Sequence, residues 1–260
     1  MSFVRCEIAG GVATLTLDAP ETRNALSRDD QYAAIEAACQ RLEQDRSICA
    51  VVLTGAGKAF CAGGDIKAML ARSADPQLEP IDDRYHYKYG IHRIPLALYN
   101  MEVPVIAAIN GAAIGAGLDL ACMCDIRIAG KSAKFAESFV KLGIIPGDGG
   151  AFLLQRIIGI SKASELTFTG RTIGPDEALA CGLVSEVVAD DALLARAQEL
   201  AAEIALNPPH ALRMAKRLLR ESVHARLESV LELSAAFQAL AHSTRDHRDR
   251  LAAAVERLQR

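Results

Sequence analysis

Short apolar runs and amphipathic stretches divide the chain into two parts of different character. Residues 12–17 place a valine and two threonines on one side and an alanine and two leucines on the other. A pair of glycines precedes them, so we predict the second strand of a hairpin. The apolar runs 50–54 and 104–109 are typical of strands buried on both faces. From residue 190 onward the pattern favours helices only. We therefore predict an α/β fold whose final part is all-helical.

Three stretches indicate where helices begin or end. Ser27 is predicted to begin a helix with Asp30 as the partner in a weak capping box, because apolar residues then recur at helical spacing up to Leu42. Residues 175–180 form a predicted short helix that starts at a proline and ends before a glycine. Residues 207–209 contain two prolines and are predicted to separate two helices of the final part.

Twice, a buried strand leads into a glycine-rich turn and then a helix, over residues 50–66 and 104–123. Small residues in these turns let a ligand approach the backbone, and the first N–H groups of the following helix lack intrahelical partners. Two such turns facing one point would bind a negative oxygen, as in an oxyanion hole. Ordinary tight turns have the same composition, so the residues alone leave both interpretations open.

Two nucleotide-binding motifs fit these turns poorly. The loop 55–58 ends in a lysine, as a phosphate-binding loop does, but Ala59 follows where Ser or Thr is needed. The glycines at 111, 115 and 117 do not have the spacing of a dinucleotide fingerprint.

Composition narrows the function classes further. The 260 residues carry a net charge of -3 with no dominant basic stripe, so we expect no nucleic-acid partner. We see no apolar run of about 18 residues and no signal peptide, so we expect a cytoplasmic protein that does not enter a membrane. The seven cysteines are irregularly spaced and form no CxxC pair, so we expect neither a disulfide framework nor a metal site.

Residues 59–66 resemble the first signature of the crotonase (enoyl-CoA hydratase/isomerase) superfamily. Residues 110–127 resemble the second signature, 134–150 continue it, and shorter matches fall at 24–26 and 244–247. The resemblance implies a spiral of repeated ββα units over residues 1–190 and a helical C-terminal trimerisation region over 191–260. It also implies a homotrimer or hexamer.

The same resemblance implies an acyl-CoA substrate, with no cofactor other than the coenzyme A that enters as part of that substrate. The thioester oxygen would be held by the backbone N–H groups of Gly64 and Ala116. The residues that the resemblance places along the coenzyme A and acyl path are Arg23, Lys58, Ala59, Phe60, Ala62, Asp65, Ile66 and Phe139. The aromatic residues 85–89 would either shape the acyl pocket or form an exposed face or subunit contact.

The acidic residues depart from the hydratase pattern. Hydratases of the family use two glutamates, but this chain has Asp119 at the first position and Phe139 at the second. Asp119 resembles the aspartate of dienoyl-CoA isomerases and could move a proton. Asp148 is a second candidate, although a helix N-cap would explain it equally well. Glu137 is a third acid, predicted on a strand where it would share a face with Phe139 or lie on the surface.

The residues and the resemblance together support an enoyl-CoA hydratase/isomerase-type enzyme that stabilises a thioester enolate and uses Asp119 as acid and base. Isomerisation of a double bond fits Phe139 better than hydration does. Two alternatives stay open. One is hydrolysis of a thioester or a carbon–carbon bond on the same scaffold, with Asp148 as the supporting feature. The other is an acyl-CoA binder without activity.

Overall fold

The computed structural model describes residues 2–259 and confirms the mixed α/β fold. Its strands are β1 (Val4–Ala9), β2 (Val12–Leu17), β3 (Ala50–Gly55), β4 (Ala59–Cys61), β5 (Val105–Ile109), β6 (Ala112–Ile114), β7 (Ile126–Gly130), β8 (Lys134–Ala136), β9 (Thr172–Ile173) and β10 (Glu186–Val188). Its helices are α1 (Asp29–Gln44), α2 (Ile66–Ser73), α3 (Pro80–Tyr89), α4 (Arg93–Asn100), α5 (Ala116–Cys122), α6 (Gly150–Ile158), α7 (Ile160–Thr169), α8 (Pro175–Ala180), α9 (Leu193–Ala205), α10 (Pro209–Glu221), α11 (Leu227–His242) and α12 (Arg245–Leu258). Short 3-10 turns cover Pro20–Thr22 and Phe139–Leu142.

The strands form two sheets, and the chain passes between them repeatedly. The larger sheet has the order β1-β2-β3-β5-β7-β10 and the smaller one has the order β4-β6-β8-β9. Strands β1 and β2 form the predicted antiparallel hairpin, whereas β3, β5 and β7 run parallel. Each of β3, β5 and β7 is followed by a strand of the smaller sheet and then by a helix. The ββα unit that the family resemblance implies therefore occurs three times.

Apolar side chains cover both faces of the larger sheet. One face packs into the main core with side chains such as Leu15, Leu53 and Ile109. Helix α9 covers the other face with Leu193, Ala197 and Ala201. The threonine side of β2 is buried there as well, and Gln198 on α9 donates a hydrogen bond of 3.2 Å to the Thr14 hydroxyl. Burial on both faces explains why the central strands are continuously apolar.

The first helix begins later than predicted, at Asp29 rather than Ser27, and its capping partner is different. The Gln31 side-chain carbonyl accepts the N–H groups of Ser27 and Arg28 at 2.9 and 3.0 Å. The Gln31 side-chain nitrogen also donates to the Ala25 carbonyl. Both the oxygen and the nitrogen of this fully buried amide therefore have hydrogen-bond partners. Asp30 instead points outward and pairs with the Arg28 guanidinium.

Helices α10 to α12 extend from the sheet core. Lys216 on α10 is buried, with its Nζ 2.6 Å from an Asp125 carboxyl oxygen and 2.7 Å from the Val103 carbonyl. This ion pair fixes α10 against the start of β7. Helices α11 and α12 have no buried residue and expose apolar side chains, among them Leu231 and Leu251. Within residues 2–259 we find no helix that is both long and apolar enough to cross a membrane.

A buried asparagine holds the loop before α1 against the turn between β3 and β4. Asn24 has a left-handed φ of 58° and accepts the Ala19 N–H at 3.0 Å. Its amide nitrogen donates to the carbonyls of Ala56 and Ala59 at 3.0 and 2.9 Å. The backbone completes the connection, since the Ala62 N–H donates to the Arg23 carbonyl. Asn24 therefore positions the strand that leads into the first glycine-rich turn.

We expect Asn24→Ala to lower the free energy of unfolding by about 3 kcal/mol, because it leaves buried backbone groups without partners and places alanine at a left-handed φ. Chemical denaturation of the purified variant measures this change. Asn207→Ala is the matched control, because Asn207 is exposed and bonds only within its own helix end. A similar loss in both variants would contradict the positioning role of Asn24.

Candidate active site

The two glycine-rich turns predicted from the sequence pack against each other. A Cβ on Gly63 would lie 2.4 Å from the Ile114 carbonyl oxygen and 3.6 Å from the Ala116 nitrogen. A Cβ on Gly117 would lie 2.0 Å from the Cys61 carbonyl oxygen. Only glycine permits such close approach of the two backbones. The structure therefore brings the turns at 60–66 and 111–119 to one place, as the sequence suggested.

Two backbone N–H groups at this junction are candidate donors to a ligand. Within residues 2–259, neither the Gly64 N–H nor the Ala116 N–H donates a hydrogen bond. Ala116 is the first residue of α5, where the helix dipole favours negative charge. Asp65, predicted on the coenzyme A path, caps α2 by accepting the N–H groups of Lys67 and Ala68. The N–H groups of Gly64 and Ala116 are therefore the candidate donors to a partly negative oxygen.

Asp119 lies one turn into α5 and is fully buried. Its Oδ2 accepts the Gly150 N–H at 2.9 Å, whereas its Oδ1 has no hydrogen-bond partner. Glu137 is also buried, and neither of its carboxyl oxygens has a partner. A Cβ on Gly150 would lie 2.2 Å from Asp119 Oδ1 and 2.3 Å from Glu137 Oε1. The two carboxyl groups therefore face each other across Gly150.

The strand that was predicted to carry both Glu137 and Phe139 ends at Ala136. Phe139 instead begins the 3-10 turn, because the chain bends at Ser138. The Phe139 ring lies 3.6–3.9 Å from the point where a Cβ on Gly115 would stand. Phe139 thus forms an apolar wall beside the second glycine-rich turn. The prediction that Glu137 and Phe139 share a strand face was wrong. The sequence offered Glu137 only as a third candidate acid, yet its carboxyl group lies beside that of Asp119.

Asp148 is buried in the loop before α6, and its Oδ1 has no hydrogen-bond partner. The alternative role as a helix N-cap does not apply, because Gly149 occupies the cap position and no side chain caps α6. His92 Nε2 lies 2.8 Å from the Gly147 carbonyl oxygen, and a Cβ on Gly147 would lie 3.2 Å from the Tyr87 ring. The His92 and Tyr87 side chains thus hold the Asp148 loop in place, and the sequence did not predict these contacts.

Burial shifts the pKa of all three carboxyl groups upward. Burial, followed by the charges of Glu137 and Asp148, holds the pKa of Asp119 well above its usual range. Burial raises the pKa of Glu137 to about 7, although the adjacent Asp119 carboxyl group acts to lower it. Burial raises the pKa of Asp148 to about 6, and the nearby His92 opposes this. Three such groups in one apolar region cannot all be ionised at neutral pH.

The residues predicted along the coenzyme A path differ in exposure. Ala59 and Phe60 are buried in β4, so only their backbone could contact a ligand. Arg23 and Lys58 are exposed, and Ile66 is exposed at the start of α2. Ala62 lies between these groups and is half-buried, with its N–H bound to the Arg23 carbonyl.

The aromatic residues 85–89 lie on α3 and divide between two environments. Tyr87 packs against the Asp148 loop and the main core. Tyr85 and Tyr89 stack on each other at 5.7 Å between ring centroids and are exposed. Of this cluster, Tyr87 is the tyrosine that reaches the candidate site.

We expect Gly150→Ala to destabilise the protein by about 2 kcal/mol, since the new methyl group would collide with both carboxyl groups. Alanine is otherwise the better helix former, so a loss of stability reports the collision. Gly174→Ala is the matched control, because a Cβ there meets nothing within 4 Å. The measurement is the urea midpoint of each variant. A stabilised Gly150→Ala protein would show that the two carboxyl groups are not held together at Gly150.

We expect the free energy of unfolding to fall as pH rises from about 5 to 8. In this window the unfolded carboxyl groups have lost their protons, whereas the folded groups with raised pKa retain them, so deprotonation favours unfolding. Asp119→Asn removes one of the three buried acids and should flatten the pH dependence, whereas Asp191→Asn on the surface should not. Urea unfolding at both pH values measures the slopes. Equal slopes in all three proteins would contradict the raised pKa values.

Comparison with known proteins agrees with this architecture. The profile of the family described as enoyl-CoA hydratase/isomerase matches residues 7–260. The short-chain-enoyl-CoA hydratase of Clostridium acetobutylicum is 37% identical over 99% of this chain and 96% of its own length. The 1,2-epoxyphenylacetyl-CoA isomerase of Escherichia coli is 35% identical over 97% of this chain and 95% of its own length. The crystal structure of an enoyl-CoA hydratase from Bacillus anthracis superposes with a TM-score of 0.90 at 32% identity, covering 98% of this chain and 96% of that one. The chain therefore belongs to the enoyl-CoA hydratase/isomerase family of the crotonase superfamily.

Proposed function

We propose that this protein isomerises the double bond of an enoyl-CoA thioester, using Asp119 to move the proton. The observation that supports this most directly is the position of the Asp119 carboxyl group. Its Oδ1 is buried without a hydrogen-bond partner, one helical turn from the Ala116 N–H and beside the junction with the Gly64 turn. A proton-moving group and two donors for a negative oxygen thus lie at one site.

The two N–H groups of Gly64 and Ala116 would bind the thioester oxygen. Removal of a proton next to the thioester carbonyl places negative charge on that oxygen as the enolate forms. Donors fixed in the backbone need no reorganisation to stabilise this charge, and loss of one such donor typically costs about 3 kcal/mol in the transition state. The free N–H of Ala116 at the start of α5 adds the favourable end of the helix dipole.

Asp119 would act first as base and then as acid. It takes a proton from the carbon next to the thioester carbonyl, and the double bond shifts in the enolate. The Asp119 carboxyl group, which can exchange its proton with solvent, then gives a proton to the far carbon of the shifted bond. Burial raises the pKa of Asp119, which makes its carboxylate a stronger base than an ordinary one and so favours uptake of the substrate proton. Phe139 supports isomerisation over hydration, since its ring offers no group that could hold a water molecule.

Exposed cations and exposed apolar side chains support the proposed substrate binding and assembly. Arg23 and Lys58 are exposed cations at the edge of the first glycine-rich turn, suited to the phosphates of coenzyme A. The proposal includes no resident cofactor, because coenzyme A is part of the substrate. The exposed apolar side chains of α11 and α12, in the region 191–260, support the assignment of that region to trimer or hexamer formation.

A hydrolase on the same scaffold is the second candidate. Asp148 is the observation in its favour, because its buried Oδ1 lacks a hydrogen-bond partner and its pKa is raised to about 6 by burial. A carboxyl group of this kind could accept a proton from an attacking water. The water would add to the thioester carbonyl and free coenzyme A would leave as the thiol.

The test is mass spectrometry of the purified protein with 2-enoyl-, 3-enoyl- and dienoyl-CoA thioesters in heavy water. We expect deuterium uptake with a shifted double bond and no added water. Asp119→Asn should lower kcat by roughly 100- to 10,000-fold, the usual contribution of a general acid–base. Asp191→Asn, on the surface, should leave kcat unchanged.

Other products would decide against isomerisation. A product one water heavier would establish hydration, and free coenzyme A that disappears in Asp148→Asn would establish hydrolysis. Full turnover by Asp119→Asn would refute the proposed acid–base. Thioester binding without any turnover on the panel would favour an acyl-CoA binder.

A further inference from the structure

Glu137 has an environment that a purely structural glutamate would not have. Both of its carboxyl oxygens are buried without a hydrogen-bond partner, and within residues 2–259 it forms no ion pair with a lysine, arginine or histidine. Burial of an ionised carboxylate without compensation is so costly that the group keeps a proton or shares one. The group that faces it is the Asp119 carboxyl.

The geometry restricts which atoms can share that proton. Asp119 Oδ2 is occupied by the Gly150 N–H, so its partnerless oxygen is Oδ1. Glu137 Oε1 and Asp119 Oδ1 approach the same point above the Gly150 Cα. Two carboxyl groups this close cannot both be ionised, and a single proton between them satisfies both free oxygens.

The other titratable groups around the pair leave this arrangement intact. Cys122 on α5 is buried, and burial raises the pKa of its thiol, so it stays neutral. Asp148, in the loop before α6, is the remaining acid that acts on both members of the pair, and His92 in turn lowers the pKa of Asp148. No described cation compensates a second negative charge on the pair.

We propose that Glu137 is a positioning residue that shares one proton with Asp119, so that the pair meets the substrate with a single negative charge. The proposal rests on the proposed function, in which Asp119 moves the substrate proton. With the shared proton on Glu137, Asp119 is the base. When Asp119 takes the substrate proton the pair becomes neutral, and transfer of a proton back to the substrate restores the single charge. No oxidant or further reactant is needed.

The experiment compares the pH dependence of kcat in the full-length protein and in Glu137→Gln. The wild type should show two limbs, because activity requires the pair to hold one proton rather than two or none. Glutamine donates permanently to Asp119 and has no proton to lose. The variant should therefore lose the alkaline limb and keep an acid limb, because Asp119 still takes up a proton as the pH falls. Glu228→Gln, at an exposed position, should keep the wild-type profile.

A direct readout separates this proposal from the proposed function. Infrared spectroscopy of the substrate-free protein detects the C=O band of protonated carboxyl groups, which should persist at pH 7 in the wild type and be lost in both Glu137→Gln and Asp119→Asn. If Asp119→Asn keeps full turnover, the proposed function fails while the infrared result still decides whether the proton is shared. A two-limbed profile in folded Glu137→Gln, or a wild type without the band, would overturn the shared proton. If Glu137→Gln does not fold, Asp119→Asn supplies the infrared comparison.

Discussion

The candidate site depends on the energetic cost of ionising a carboxyl group inside an apolar core. Asp119, Glu137 and Asp148 are buried together, and each keeps at least one oxygen without a hydrogen-bond partner. Buried carboxyl groups in proteins are usually paired with cations or hydrogen-bond donors, because an unpaired buried charge lowers the stability of the fold. Here the nearby donor to the Asp119 carboxyl is the Gly150 N–H. Burial of these carboxyl groups therefore raises the pKa of each of the three acids.

The repeated ββα unit explains how these groups meet. The first unit supplies the Gly64 turn at the end of β4, and the second supplies Ala116 and Asp119 at the start of α5. The third unit supplies Glu137 after β8 and Asp148 before α6. Because β4, β6 and β8 are neighbours in the smaller sheet, the turns that follow them lie side by side. The parallel strands of the smaller sheet therefore bring together donors and acids that are spread along the chain from Gly64 to Asp148.

The sequence predicted the local features well, because strands, glycine-rich turns and helix starts depend on neighbouring residues. The hairpin at 12–17, the buried runs at 50–54 and 104–109 and the two turns follow from residue pattern alone. The role of Glu137 depends on a long-range fact, the bend at Ser138 that directs it toward Asp119 instead of along a strand. The position of Asp148 depends on contacts of its loop with Tyr87 and His92, more than 50 residues earlier. Side-chain direction after a strand end is set by tertiary contacts that periodicity does not encode.

Glu137 is better explained by chemistry than by stability. A glutamine at this position would fill nearly the same volume and would donate to Asp119 without any charge to bury, so selection for stability alone would favour it. An amide can donate to Asp119 but cannot exchange a proton with it. A second carboxyl group can hold or give up the shared proton, and the pair still carries one negative charge. In the proposed reaction, transfer of the substrate proton changes the pair from singly charged to neutral, so it removes the charge that is costly to bury.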